Sequence, residues 1–187
     1  GRILWDPCLP DLPRVDRRPL FEATIKTLAD LHKVDYAAIG LEDYGKPGNY
    51  FTRQISRWSK QYVASETQSI DSMNKLMDWL PNNIPNDDAN SIVHGDYRLD
   101  NIVMHPTENR VLAVLDWELS TTGHPFADLG AVIMQWGMPP GSEGRGLAGI
   151  DRKAEGLMED QEFIDLYCKR RGLAGIDGFG FYLAFNY

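Results

Sequence analysis

Three side chains near the middle of the chain have the types and spacing that phosphoryl chemistry needs: Asp96, Asn101 and Asp116. A carboxylate such as Asp96 can orient an acceptor hydroxyl and take its proton while a phosphoryl group is transferred. The Asn101 amide oxygen, five residues on, is a hard donor of the kind Mg²⁺ accepts. Asp116 offers a second oxygen ligand where the apolar run 111–115 ends. One base with two ligands for a cation that spans nucleotide phosphates is the minimum set for transfer from ATP.

Particular elements have to bring these groups together. Residues 91–93 read as a short buried strand, and Gly95 then allows a sharp turn where a Cβ would clash. Residues 102–104 and 111–115 read as a hairpin around the polar turn 105–110, with the second strand buried. Such a hairpin returns Asp116 to the side of Asn101, where both can reach one cation.

The flanks read as helices. A first helix opens near Pro19, with Asp16 upstream, Glu22 in its first turn, and Phe21, Ile25, Leu28 and His32 on one stripe. His32 is expected to be a packed residue. A second helix carries Phe51, Ile55, Trp58 and Tyr62 at helical spacing, an aromatic stripe expected in the core. A third opens at Asp71 and Ser72, presents Met73, Leu76, Met77 and Leu80, and stops at Pro81; residues 82–90 follow as a surface loop. Gly123, His124 and Pro125 introduce a fourth, running to about Trp136, and residues 137–149 read as a flexible glycine-rich loop. The helix from Glu159 to Arg171 has acids in its first turn, bases in its last and Gly172 as a stop. Residues 179–187 are again apolar and helix-like. The heptapeptide R-G-L-A-G-I-D occurs at 145–151 and at 171–177, too little for a repeat architecture.

Composition narrows the classes. A chain of 187 residues with 43% hydrophobic content suits one globular domain or one large lobe. A net charge of −8 argues against a nucleic-acid partner, which needs a basic face. No apolar run is long enough for a membrane span. Two cysteines, Cys8 and Cys168, make no disulfide framework and suit a reducing, cytoplasmic setting. His/Cys clusters with zinc spacing and a G-x-S-x-G nucleophile motif are both missing.

The run H-G-D-Y-R-L-D-N over 94–101, followed by V-L-D-W-E-L-S-T-T-G-H-P-F-A-D-L-G over 114–130, resembles the aminoglycoside phosphotransferase and choline kinase group. This is the small-molecule branch of the protein-kinase-like fold, with H-G-D in place of H-R-D and D-W-E in place of D-F-G. The wording is most similar to kinase-like domains related to those fused to acyl-CoA dehydrogenases. The resemblance implies an α+β protein-kinase-like fold, here mainly the helical C-terminal lobe with a small catalytic β-hairpin. Residues 1–15 would be the hinge from an N-terminal lobe, and 16–187 the catalytic lobe, with both ends reading as cut. The glycine-rich loop and lysine that hold nucleotide phosphates in such a lobe have no counterpart here.

By the same resemblance Asp96 and Arg98 are catalytic, Arg98 facing the γ-phosphate. Asn101 and Asp116 bind Mg²⁺ and with it ATP. His94 packs beneath the catalytic loop and bonds to backbone. Asp128 ties its helix to that loop, and Glu118 either assists the cation or contacts substrate. The acceptor, a small molecule bearing a hydroxyl, would lie against the helical face after Asp116, near Glu118 and the 137–149 loop. Association with an acyl-CoA dehydrogenase is implied too. The alternative function class is a kinase-like module that binds nucleotide or acyl-CoA without transferring phosphate.

Overall fold

The computed structural model describes residues 1–46 and 48–187. In chain order its elements are β1 (Arg2–Ile3), α1 (Arg14–Leu31), α2 (Tyr50–Ser65), α3 (Asp71–Trp79), β2 (Ser91–Val93), β3 (Ile102–Met104), β4 (Val111–Val114), β5 (Thr121–Gly123), α4 (Pro125–Trp136), α5 (Asp160–Arg171) and α6 (Phe179–Phe185). Short 3₁₀ turns stand at Leu80–Asn82, Leu99–Asn101 and Trp117–Leu119. None of the described helices is long and apolar enough to cross a membrane.

Two small antiparallel sheets frame the catalytic segment. β1, β3 and β4 form one, in the order β1-β3-β4, with Ile102 opposite Val114 and Val103 opposite Ala113. β2 and β5 form the other, Val93 opposite Thr121. The N-terminal segment read as a hinge therefore supplies a strand, pairing Arg2 with Met104. β4 departs from expectation: it is an edge strand, and Leu112 and Leu115 are exposed rather than buried. An apolar run can look like a buried strand in sequence because periodicity does not say whether a further layer covers it.

α1 begins at Arg14, five residues before Pro19, which sits inside the helix. Pro19 has no N–H to give to the carbonyl of Val15. Val15 is exposed, so water can take that place and the interruption costs little. The expected stripe on α1 is present: Phe21, Ile25, Leu28 and His32 are all buried. α2 keeps only half of its stripe in the core. Phe51 and Ile55 are buried, whereas Trp58 is exposed and Tyr62 half-buried, because the helix runs past the core and out along a cavity. α3 fully buries none of its residues; Leu76 packs partly buried against the core, and Leu80, just past its end, is buried. α5 carries the expected charges and closes its start with a capping box between Glu159 and Glu162.

Residues 137–149 are tied down rather than free. Leu147 N–H donates to the Trp136 carbonyl at 2.8 Å, Ala148 N–H to Met138 at 3.1 Å, and the Leu147 side chain is buried. The heptapeptide adopts two structures. Its first copy opens with Arg145 left-handed in a loop (φ +49°), its second with Arg171 as the last residue of α5.

α4 is buried on nearly every side and packs closely on α6. The approach is set by Gly130, where a Cβ would lie 2.4 Å from the Tyr182 carbonyl oxygen. Two effects oppose each other in a Gly130→Ala variant. Alanine gains about 1 kcal/mol of helix propensity, but overpacking against fixed backbone costs about 1–3 kcal/mol. Because the obstructing atom is main chain, the clash is expected to win, and urea unfolding of the variant should show a lower midpoint than wild type.

Candidate active site

The segment 94–101 is held from beneath by one buried carboxylate. Asp128, in the first turn of α4, is 1% exposed. Its Oδ2 accepts the His94 N–H at 2.7 Å and its Oδ1 the Gly95 N–H at 2.8 Å. Oδ2 also lies 3.1 Å from Nε2 of His32, whose Nδ1 is 2.7 Å from the Tyr167 hydroxyl. As Asp128 Oδ2 can only accept, the His32 proton resides on Nε2. Burial holds the His32 pKa below its ordinary value, against the opposing pull of Asp128. The Arg171 guanidinium donates to the Tyr167 oxygen at 3.0 Å, which leaves the phenol proton for His32 Nδ1.

Above this support the chain turns at Gly95 (φ +85°), where a Cβ would fall 2.7 Å from the Leu119 carbonyl oxygen. Neither the left-handed backbone nor the close approach leaves room for a side chain. His94 then links the two motifs. Its Nδ1 accepts the Asp96 N–H at 3.2 Å, so Nε2 carries the proton and donates to the Leu115 carbonyl at 2.8 Å. The Leu115 N–H donates to the Asn101 carbonyl at 2.8 Å. The backbone N–H and C=O of one residue, Leu115, are thus bonded to the two ends of the 94–101 segment, immediately before Asp116. Asp116 itself is left-handed (φ +66°, ψ +57°), a conformation non-glycine residues adopt sparingly and often at sites of function.

Asp96 and Asn101 touch directly. Asn101 Nδ2 donates to the Asp96 carbonyl at 2.9 Å and to its Oδ2 at 3.0 Å. Both partners are acceptors, which settles the amide orientation and leaves Oδ1 of Asn101 without a donor among the described residues. The Asp116 carboxylate is exposed and likewise has no hydrogen-bond partner among them. Arg98 lies between two acids: Nε is 3.3 Å from Asp96 Oδ1, close but not aligned as a hydrogen bond, and Nη2 donates to Asp100 Oδ2 at 2.9 Å. Asp100 is buried and also bonds Arg145. The structure therefore brings Asp96, Arg98 and Asn101 into one cluster and positions Asp116 through the backbone next to it. Glu118 is exposed on the turn beyond Asp116 and makes no hydrogen bond or ion pair among the described residues.

Among the described residues no group of three His, Cys, Asp or Glu side chains forms a ready-made metal site. One amide oxygen and one carboxylate suit Mg²⁺, which keeps several waters and takes few protein ligands beside phosphate oxygens.

A cavity of about 450 Å³ opens beside the segment, its wall including Gly95, Leu119 and Asp128. α2, α3 and the end of the chain enclose it with Trp58, Tyr62, Met73, Leu76, Met77 and Tyr187 among others. The 137–149 loop, expected at the acceptor side, is not part of this wall and packs instead against Trp136 and Asp100. Charge on the wall comes from Arg57 and from Asp128, whose two oxygens are already taken. The Tyr62 hydroxyl has no partner among the described residues.

The expected backbone bond of His94 and the expected tie from Asp128 to the loop are both present, but Leu115 as the backbone partner had no residue signature. His32 had a visible sign, a polar residue on an otherwise apolar stripe, but not its partner. Asp100 and Arg145, 45 positions apart, had none.

A base-like carboxylate, an amide and a second carboxylate on a helical lobe with a small hairpin define a kinase-like transferase fold. The family model described as "Phosphotransferase enzyme family" matches residues 1–167, and the chain belongs to that family. Acyl-CoA dehydrogenase family member 11 from Gallus gallus is 44% identical over 192 residues, covering 100% of this chain and 24% of the relative. Family member 10 from Mus musculus is 41% identical over 188 residues, covering 100% and 18%. The chain thus spans about a quarter or less of these relatives. A crystal structure of a candidate aminoglycoside phosphotransferase from Ralstonia eutropha superposes with a TM-score of 0.95 at 54% identity, over 100% of this chain and 57% of that one. An aminoglycoside phosphotransferase from Streptomyces rimosus, solved with ADP and streptomycin, gives 0.61 at 17% identity, over 90% and 61%, a likeness of fold.

The buried histidines make stability depend on pH. His32 and His124 are both held below their ordinary value, mainly by burial, so unfolded chains bind protons near pH 6.5 that the native state refuses. Their contribution is complete above that pH and is lost as pH falls below it. One such proton gives a slope of at most about 1.4 kcal/mol per pH unit. Denaturant midpoints measured from pH 7 to 5 should fall, and a His32→Gln variant should fall less steeply; an unchanged slope would remove His32 from the account.

Proposed function

We propose that this chain is the catalytic lobe of a phosphotransferase that moves the terminal phosphoryl group of ATP to a hydroxyl of a small molecule. The observation that carries the reading is the direct Asp96–Asn101 contact, with Asp116 following Leu115, whose N–H and C=O are bonded to the two ends of the same segment. A magnesium nucleotide bound there supplies the phosphoryl group and neutralises the charge that develops on it.

The chain's own groups divide the remaining work. Asp96 Oδ2 is taken by the Asn101 amide, so Oδ1 is the oxygen left to accept the proton of the acceptor hydroxyl. Asn101 Oδ1 and the Asp116 carboxylate would hold the metal. Arg98, anchored by Asp100, adds a cation next to the base, where negative charge builds up on the transferring group. His94 and Asp128 fix the segment so that none of these groups need reorganise during the reaction.

The acceptor enters through the cavity whose wall reaches Gly95. Aromatic and methionine side chains with one guanidinium and no free carboxylate suit a body with apolar surface better than a polycation. The names of the relatives suggest an acyl-CoA dehydrogenase unit as neighbour. Both cysteines are free, which fits the cytoplasm.

The decisive experiment replaces the base. In the full-length protein, Asp96→Asn is expected to retain ATP binding and to lose about 10²- to 10⁴-fold in kcat, measured with labelled ATP and a panel of alcohols. Turnover at the wild-type rate would remove Asp96 from that role. If the wild type binds nucleotide but transfers nothing to any alcohol, the chain is a binding module instead.

Asn101 and Asp116 should behave as one unit toward the metal. Asp116→Ala is expected to weaken Mg²⁺-dependent nucleotide binding in calorimetric titrations, and adding Asn101→Ala should change it little further, because ligands of one ion do not contribute independently. Fully additive losses would mean that they do not share a cation.

A further inference from the structure

Asp96, Arg98, Asp100 and Arg145 alternate in charge, and this row extends from the proposed base into a loop that is distant in sequence. Asp100 is its buried member, and one oxygen, Oδ2, accepts from both Arg98 Nη2 and Arg145 Nη1. A carboxylate withdrawn from water draws its partners in strongly. With Arg98 alone it would be expected to take the whole guanidinium fork, the preferred bidentate arrangement. Without Asp100, the same fork would be free to close on Asp96, whose Oδ1 is already 3.3 Å from Nε. The observed arrangement is neither of these. Arg98 is divided between the two acids, and Arg145 supplies the second positive charge that Asp100 needs.

Arg145 is built for this contact. It is a non-glycine residue held at φ +49°, a conformation that L side chains avoid. Its own N–H donates to the Gly141 carbonyl at 2.8 Å, and the following N–H donates to Pro139 at 3.0 Å. Gly146 has no room for a Cβ, which would fall 1.9 Å from the Met138 carbonyl oxygen. The loop therefore turns at a point that aims the guanidinium back at Asp100, and the guanidinium also covers the Trp5 ring at 5.3 Å from its centroid.

We propose that Arg145 is a positioning residue for phosphoryl transfer: acting through Asp100, it keeps Arg98 from closing on either acid and holds it beside Asp96. The inference rests on the phosphotransferase reading above. It assigns a role to the 137–149 loop at Arg98, outside the wall of the acceptor cavity.

The test assays the full-length protein for Mg²⁺-dependent ATP hydrolysis, read as inorganic phosphate release, so that no acceptor has to be known; no hydrolysis by the wild type overturns the phosphotransferase reading and this inference with it. Arg145→Ala and Asp100→Asn are each expected to lower kcat about 10- to 100-fold, with MgATP affinity from calorimetry unchanged. Arg145→Lys, which keeps the charge but not the fork, should recover part of the rate. In an Arg98→Ala background, Arg145→Ala should cost nothing more. Circular dichroism checks that each variant is folded; if Arg145→Ala is not, Arg145→Lys carries the same comparison in both backgrounds. Full activity of Arg145→Ala, or an equal loss whether or not Arg98 is present, overturns the proposal. Asp96→Asn, run in parallel, separates the two failures: retained hydrolysis there overturns the phosphotransferase reading itself. Loss in Asp96→Asn alongside a wild-type rate in Arg145→Ala removes only the positioning role.

Discussion

A carboxylate buried at the first turn of α4 sets the terms for the rest of the molecule. Taking Asp128 out of water is costly unless donors replace the water, and three N–H groups do so: two from the 94–95 backbone and one from His32. The positive end of α4 adds to this. His32 and His94 are buried, and their N–H groups would be left unsatisfied without Asp128, at about 1–3 kcal/mol apiece, whereas Gly95 is exposed and its N–H could turn to water. The demand runs both ways, and it joins α1, α4 and the candidate catalytic segment into one unit. Tyr167 and Arg171 extend that unit to α5. Helices that share no sequence neighbourhood are thereby aligned around a single ion.

A second constraint sits one layer up. Leu115 donates its backbone N–H to the Asn101 carbonyl, and its own carbonyl accepts a hydrogen bond from His94 Nε2. Both ends of the 94–101 segment are therefore measured against the residue just before Asp116. The hairpin β3–β4 brings the strand alongside, but the two hydrogen bonds decide where Asp116 starts its left-handed turn. Geometry of this kind tolerates sequence change at Leu115, whose side chain is exposed, while the backbone contact stays the same.

Placing the charges is a separate problem from placing the backbone. Asp96, Arg98 and Asp100 sit within five residues and could pair in more than one way. Arg145 breaks that degeneracy from outside, and it does so at the expense of an unfavourable backbone conformation. On the other side of the segment, α2 gives up half of its aromatic stripe to a cavity. Trp58 and Tyr62 are aromatic residues that could have been core, but Trp58 is exposed and Tyr62 half-buried, both lining a cavity with residues of α3 and the 185–187 segment.

The amino-acid sequence alone was enough to expect the β3–β4 hairpin and to set Asp96 and Asn101 five residues apart on one turn, because these depend on residue type and short-range spacing. It also placed α4 and α5 to within about a residue, since Pro125, the acids at 159–162 and Gly172 are local signals. It misplaced the start of α1, because a proline within a helix is tolerated when the freed carbonyl reaches water, and exposure is a tertiary property. It could not distinguish the buried part of α2 from the part that lines a cavity, nor tell that β4 is an edge, because periodicity records a face and not what covers it. The partners of His32 and Asp100 lie 96, 135 and 45 residues away. Only the folded chain brings them within hydrogen-bond distance, and the low dielectric of the interior is what turns those approaches into fixed positions.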